Sequence, residues 1–221
     1  MHSDLKTERK RILYSAVFPL FMLFLMFTVR LIESLEDANW FFLGVKPLSL
    51  QGLPGIITAP FIHADWGHFG ANAGPFLVLG SVLFYVYRDI AFKVFVWIYL
   101  LAGIWLWFGA RDAWHVGASG LVYGLAAFLF LSGIIRNYVP LIAVSMLVIF
   151  LYGGLFWGLF PVEWLVEYSW EAHLWGALAG VVVAVVFRKD GPQKPPPLED
   201  DEIEEEEGED RTSYWHINTT K

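Results

Sequence analysis

Six stretches of this chain are almost continuously apolar, at about 12–32, 66–87, 90–108, 118–135, 139–160 and 170–187, with short polar breaks between them. A bilayer core about 30 Å thick needs roughly 20 apolar residues of helix, and each stretch meets or approaches that length. The pattern predicts an all-α membrane protein, a bundle of six transmembrane helices. Residues 33–65 break it. They hold Trp40, Phe41 and Phe42 but also Pro47, Pro54, Gly55 and Pro60. That segment is too apolar for a free loop and too broken for a span, so a partly inserted first outer loop is expected.

Composition agrees with a bundle in lipid. Of the 221 residues, 57% are hydrophobic, 18% are aromatic and only 17% are charged, against about 25% charged in ordinary soluble domains. The net charge of −7 is mostly local, because Glu199 to Glu202 and Glu204 to Glu207 crowd into the C-terminal tail. No basic face for nucleic acid is visible. With no cysteine in the chain, disulfides, thiolate catalysis and thiolate metal sites are excluded. Lys6, Arg9, Lys10 and Arg11 precede the first apolar run. That run exceeds the 7–15 residues of a signal-peptide core, and no small-x-small cleavage site follows; a retained first span is expected. Three parts result: a cytoplasmic N-terminal segment at 1–11, a six-span domain at 12–189, and a tail at 190–221. The tail is rich in proline and acid and is expected to be disordered.

Lys and Arg flanking the spans set orientation. With the N-terminus inside, the inner segments carry Lys6, Arg9, Lys10, Arg11, Arg88, Lys93, Arg136, Arg188, Lys189 and Lys194, and the outer ones only Arg30, Lys46 and Arg111. Both termini are therefore expected in the cytoplasm. The even-numbered spans then begin at the outer surface, and their starts carry His68 and Asn72, Ser119, and His173.

Polar side chains in spans are costly and usually face the bundle interior or a watery cavity. Each of these has an ordinary explanation alone. Ser119 suits a helix cap, Asn72 an interhelical hydrogen bond, His68 the interface, and His173 packing or proton transfer. Together they supply a hydroxyl, a base and polar donors at one depth, which is what serine hydrolysis requires. Gly117 and Gly120 flank Ser119 and permit a tight turn and close approach of a substrate backbone. Ala172, Gly176 and Gly180 form a small-residue face beside His173, suited to close packing against Ser119, Gly120 and Gly124. The fifth stretch carries Phe150, Tyr152, Phe156 and Trp157, which suit either a gate or a lipid-facing surface.

Gly117-Ala118-Ser119-Gly120 with Tyr123, followed by Ala172-His173-x-x-Gly176-x-x-x-Gly180, resembles the rhomboid family of intramembrane serine proteases. His63, His68 and Asn72 resemble that family's second-span motif. The resemblance covers about 57–187. It implies a dyad of Ser119 as nucleophile and His173 as general base, without a required acid. It implies an oxyanion hole of Asn72, His68 and the Ser119 N–H. Tyr123 would pack on the His173 ring, Gly117 would line the site, and His63 would support it. Asp112 and Glu171 are given structural or surface roles. The substrates implied are transmembrane proteins in a bacterial plasma membrane, with no metal or other cofactor. The Trp-Arg pair that many members carry in the first outer loop is absent from 51–55. Two rivals remain: a catalytically silent rhomboid-like protein that binds transmembrane clients, and a small transporter. The transporter would need polar residues along the full depth of the bundle, whereas these cluster at one end. The oligomeric state is not readable.

Overall fold

A computed structural model describes residues 2–161 and 169–196. Glu163, Glu167 and the acidic run beyond 196 lie outside the described residues. Among the described residues there are seven α-helices: α1 (His2–Leu35), α2 (Gly55–Thr58), α3 (Trp66–Val86), α4 (Ala91–Gly109), α5 (Ser119–Arg136), α6 (Val139–Tyr152) and α7 (Trp170–Val186). Apart from the single turn α2, each falls on one of the six apolar stretches. Among the described residues five helical segments are long and apolar enough to cross a membrane, and α7 is a shorter apolar helix. The protein is thus an all-α, multi-pass membrane protein. Membrane-spanning chains take this form because lipid offers the backbone no hydrogen-bond partner, and a helix satisfies its own.

Two boundaries differ from expectation. α1 begins at His2, well before the apolar stretch, because Lys, Glu and Arg are good helix formers and Arg11 pairs with Glu8 at 2.6 Å. The fifth span is α-helical only to Tyr152 and continues as a 3-10 helix, Gly153–Leu159. Gly153 and Gly154 weaken α-helix there. The 3-10 form rises about 2 Å per residue instead of 1.5 Å, so the span keeps its reach with fewer side chains in contact.

α5 and α7 make the most extensive helix pair. A Cβ on Gly180 or Gly176 would strike the carbonyl of Gly124 or Gly120, and one on Gly124 would come within 3.0 Å of the Gly176 carbonyl oxygen. The two backbones therefore touch along the small-residue face. At the far end, Asn137 closes α5 in a left-handed conformation. There Arg136 donates to the carbonyls of Phe187 (2.7 Å) and Asp190 (2.8 Å) and lies over the Tyr87 ring. This clamp sets the register of α7 against α5. Outward faces stay apolar, as at Phe24, Phe92 and Phe150.

The loop between α1 and α3 packs onto the bundle without a Trp-Arg pair. Glu33, buried at 1% exposure, accepts from the Trp40 N–H (2.8 Å) and lies beside Arg30. Trp107 of α4 donates from Nε1 to the Ser49 carbonyl (3.0 Å), and its own carbonyl accepts from the Leu48 N–H. Val45 bridges His115 through two backbone hydrogen bonds. The loop is thereby tied to the segment that leads into Ser119.

Candidate active site

The starts of α3, α5 and α7 surround one cavity of about 410 Å³, whose wall includes His68, Asn72, Ser119, Tyr123 and His173. α5 and α7 have 18 and 17 residues, or about 27 and 26 Å at 1.5 Å per residue. Both fall short of a bilayer core of about 30 Å, so each leaves one end below a membrane surface.

Ser119 is the first residue of α5, reached through Gly117 at φ +105°. Few residues other than glycine adopt that φ. A Cβ at Gly117 would also lie 2.6 Å from the His68 ring. The Gly117 N–H donates to the Ala59 carbonyl (2.9 Å), which holds the turn. Asp65 caps α3 by accepting from the His68 N–H (2.8 Å), and Ser169 caps α7 by accepting from the Ala172 N–H (3.2 Å). The cap position of α5 is Ala118, which supplies no acceptor. Helices leave their first N–H groups unsatisfied, and those of α5 remain available at the cavity wall.

Of the histidines on the wall, His173 and His68 hold opposite tautomers. His173 Nδ1 is 2.9 Å from the Gly158 carbonyl oxygen. A carbonyl only accepts, so Nδ1 carries the proton and the lone pair is on Nε2. The Tyr123 ring stacks on His173 at 4.1 Å and 5° and limits its rotation. His68 Nδ1 is 3.4 Å from the Ala64 N–H; that group only donates, so His68 carries its proton on Nε2. Asn72 Nδ2 donates one hydrogen to the His68 carbonyl (3.1 Å) and keeps a second. Ser119 and His173 share the cavity wall without a hydrogen bond between them, and such bonds often tighten only around a substrate. Among the described residues no group of three His, Asp or Glu is placed to hold a metal ion.

His63 does not reach the cavity. It is buried behind His68, ring edge to ring face at 5.1 Å, with its carbonyl accepting from Arg30. Glu171 is buried and pairs with Arg111 at 3.3 Å, while exposed Asp112 lies 3.8 Å from Lys46.

Sequence reasoning missed Gly158, His115 and Ser169. Ser169 donates to His115 Nδ1 (2.7 Å), and His115 Nε2 donates to the Arg111 carbonyl (3.0 Å). This strut joins the segment before α5 to the start of α7. Ser169, two residues before the acidic Glu171 at the start of an apolar run, has the signature of a cap. Nothing local marks Gly158.

Burial pushes His63 down to about 4 and lowers His115 as well. Unfolded histidines bind protons near pH 6.5, so below that pH the unfolded chain takes up more protons and stability falls with pH. For His63 the loss runs from pH 6.5 to about 4, at about 1.4 kcal/mol per unit, or on the order of 3 kcal/mol. Thermal unfolding in detergent across that window is expected to show it, with a shallower slope in His63→Phe. Equal slopes in both proteins would refute the assignment to His63.

The Rhomboid domain model matches residues 51–190. Uncharacterised proteins of Mycobacterium tuberculosis (strain ATCC 25618 / H37Rv) and Mycobacterium bovis are each 36% identical over 194 residues, covering 82% of this chain and 78% of their own. One from Mycobacterium leprae is 36% identical over 190 residues, covering 81% of this chain and 74% of its own.

Proposed function

Because this chain belongs to the rhomboid family, we propose that it is an intramembrane serine endopeptidase, cutting peptide bonds in or beside transmembrane segments of other proteins. Its place in this reading is a bacterial plasma membrane, with both termini cytoplasmic. One observation carries the proposal: Ser119, His173 with Nε2 unprotonated, His68, Asn72 and an uncapped helix start converge on a single cavity.

The reaction follows from those groups. Ser119 Oγ attacks the scissile carbonyl carbon while its proton passes to His173 Nε2. Negative charge builds on the carbonyl oxygen, which the Ser119 N–H, the second Asn72 N–H and the His68 ring would stabilise in this reading. Collapse breaks the C–N bond, and the Nε2 proton leaves with the amine. Water entering the cavity then hydrolyses the acyl-enzyme, with His173 again taking a proton. Gly117 lies behind the His68 ring and leaves it room against the turn into Ser119, and Gly120 lets the Ala172 backbone of α7 come close. Tyr123 holds the His173 ring, and His63 backs His68.

An activity-based fluorophosphonate probe is expected to label purified protein on the peptide that contains Ser119. A folded protein that resists labelling would replace this reading with that of a client-binding, catalytically silent rhomboid. Asn72→Ala removes one oxyanion donor, and kcat is expected to fall about 10²–10³-fold with little change in KM. A KM effect alone would place Asn72 in substrate binding instead.

A further inference from the structure

We infer that Gly158 is a positioning residue for His173, and that the segment Gly153–Leu159 orients the base only while it lies against α7. The inference rests on the serine-protease reading and adds to it the group that takes the place of a triad acid.

Three observations meet at Gly158. Its carbonyl oxygen accepts from His173 Nδ1 at 2.9 Å. A Cβ on Gly158 would lie 3.1 Å from that same nitrogen and would collide with the Tyr123 hydroxyl, so only a residue without a side chain brings the main chain up to both rings. Third, the segment that delivers the carbonyl is lightly held. None of its residues is buried, and Phe156 and Trp157 are 56% and 64% exposed. Segments with few buried contacts open before the core does. Glu171, the nearby carboxylate, is engaged with Arg111.

The chemistry gives the contact a direction. As the Oγ–C bond forms, the Ser119 proton moves to Nε2 and the ring becomes an imidazolium with N–H on both nitrogens. The Nδ1–H then donates as a charged group, and charge-assisted hydrogen bonds are roughly twice as strong as neutral ones. The Gly158 carbonyl therefore stabilises the transition state more than the ground state, which is the condition for accelerating the chemical step. A substrate that displaces the segment on entry removes this acceptor, and the base is set again when the segment returns. The wall of the cavity and the orientation of the base are one device.

The test combines nitrogen NMR of histidine-labelled full-length protein in nanodiscs with fluorophosphonate labelling. The His173 signal is assigned by its loss in His173→Ala. In wild type, His173 is expected as the Nδ1–H tautomer. In Gly158→Ala, that tautomer preference is lost and labelling of Ser119 slows about 10–10²-fold, the scale of a small misplacement of a catalytic group. Cleavage of a transmembrane substrate slows by the same factor in kcat, with KM unchanged. A small probe does not need a wide opening, so a residue that only lined the entrance would leave labelling intact. Gly154→Ala is the control within the segment, since a Cβ there meets no atom within 4 Å; it is expected to behave as wild type. An Nε2–H tautomer in wild type, or Gly158→Ala labelled at the wild-type rate, overturns the inference. If Gly158→Ala does not fold, the wild-type tautomer decides it. Wild type that resists the probe sinks the protease reading, and the tautomer still decides the position of the base.

Discussion

Ser119→Ala and His173→Ala are each expected to abolish cleavage of a transmembrane model substrate, a fall of at least about 10⁴-fold, with the double variant no slower than either single one. Groups that act as a unit are non-additive in this way. Among the described residues the remaining serine and histidines of the wall are committed elsewhere. Ser169 donates to His115 and accepts from the Ala172 N–H, so its oxygen is held in the strut and in the cap of α7. His68 carries its proton on Nε2, and both ring nitrogens of His115 are engaged. Neither can take over from His173. The measurement is product formation in liposomes by purified wild type beside the three variants. Equal product from all would identify a contaminant and end the assignment. No product from any, together with blank fluorophosphonate labelling, would leave the client-binding reading.

The second large effect is remote from the chemistry. In Gly176→Val the new side chain lands on the Gly120 backbone, whose carbonyl carbon and Cα would be only 2.7 and 2.9 Å from the Cβ. No flexible side chain can yield there, so α5 and α7 must part. Overpacking of this kind costs about 1–3 kcal/mol, and a shift of about 1 Å between catalytic groups costs about 10² in rate. Ser119 and His173 sit at the starts of these two helices, so both losses are expected together, as a lower unfolding temperature and a lower kcat. Val185→Ala changes an exposed position on α7 and should alter neither. Wild-type behaviour in Gly176→Val would show that the small-residue seam does not set the site.

The loop between α1 and α3 shows how a missing motif is replaced. Residues 51–55 contain neither Trp nor Arg. The buried Glu33 carboxylate on the Trp40 N–H and the Trp107 indole on the Ser49 carbonyl hold the loop instead. Glu33 and Trp107, the side chains that make these contacts, are both far from 51–55 in sequence, so the departure is visible along the chain and its remedy is not.

What the amino-acid sequence determined by itself is the set of helices and the end of the bundle where the polar groups gather. Apolar length suffices for the first, because a backbone in lipid must satisfy its own hydrogen bonds. Polar residues in apolar spans suffice for the second, because their cost restricts them to an interior or a cavity. Where local propensity competed with apolar length, the reading slipped: polar helix formers carried α1 back to His2, and a glycine pair turned the end of the fifth span into a 3-10 helix. Only the tertiary structure decided which nitrogen of each histidine carries the proton. The partners are the Gly158 carbonyl for His173 and the Ala64 N–H for His68. Both are main-chain groups that every residue but proline carries alike, so no side-chain pattern could have announced them. They become specific only when folding brings one particular carbonyl to one particular ring.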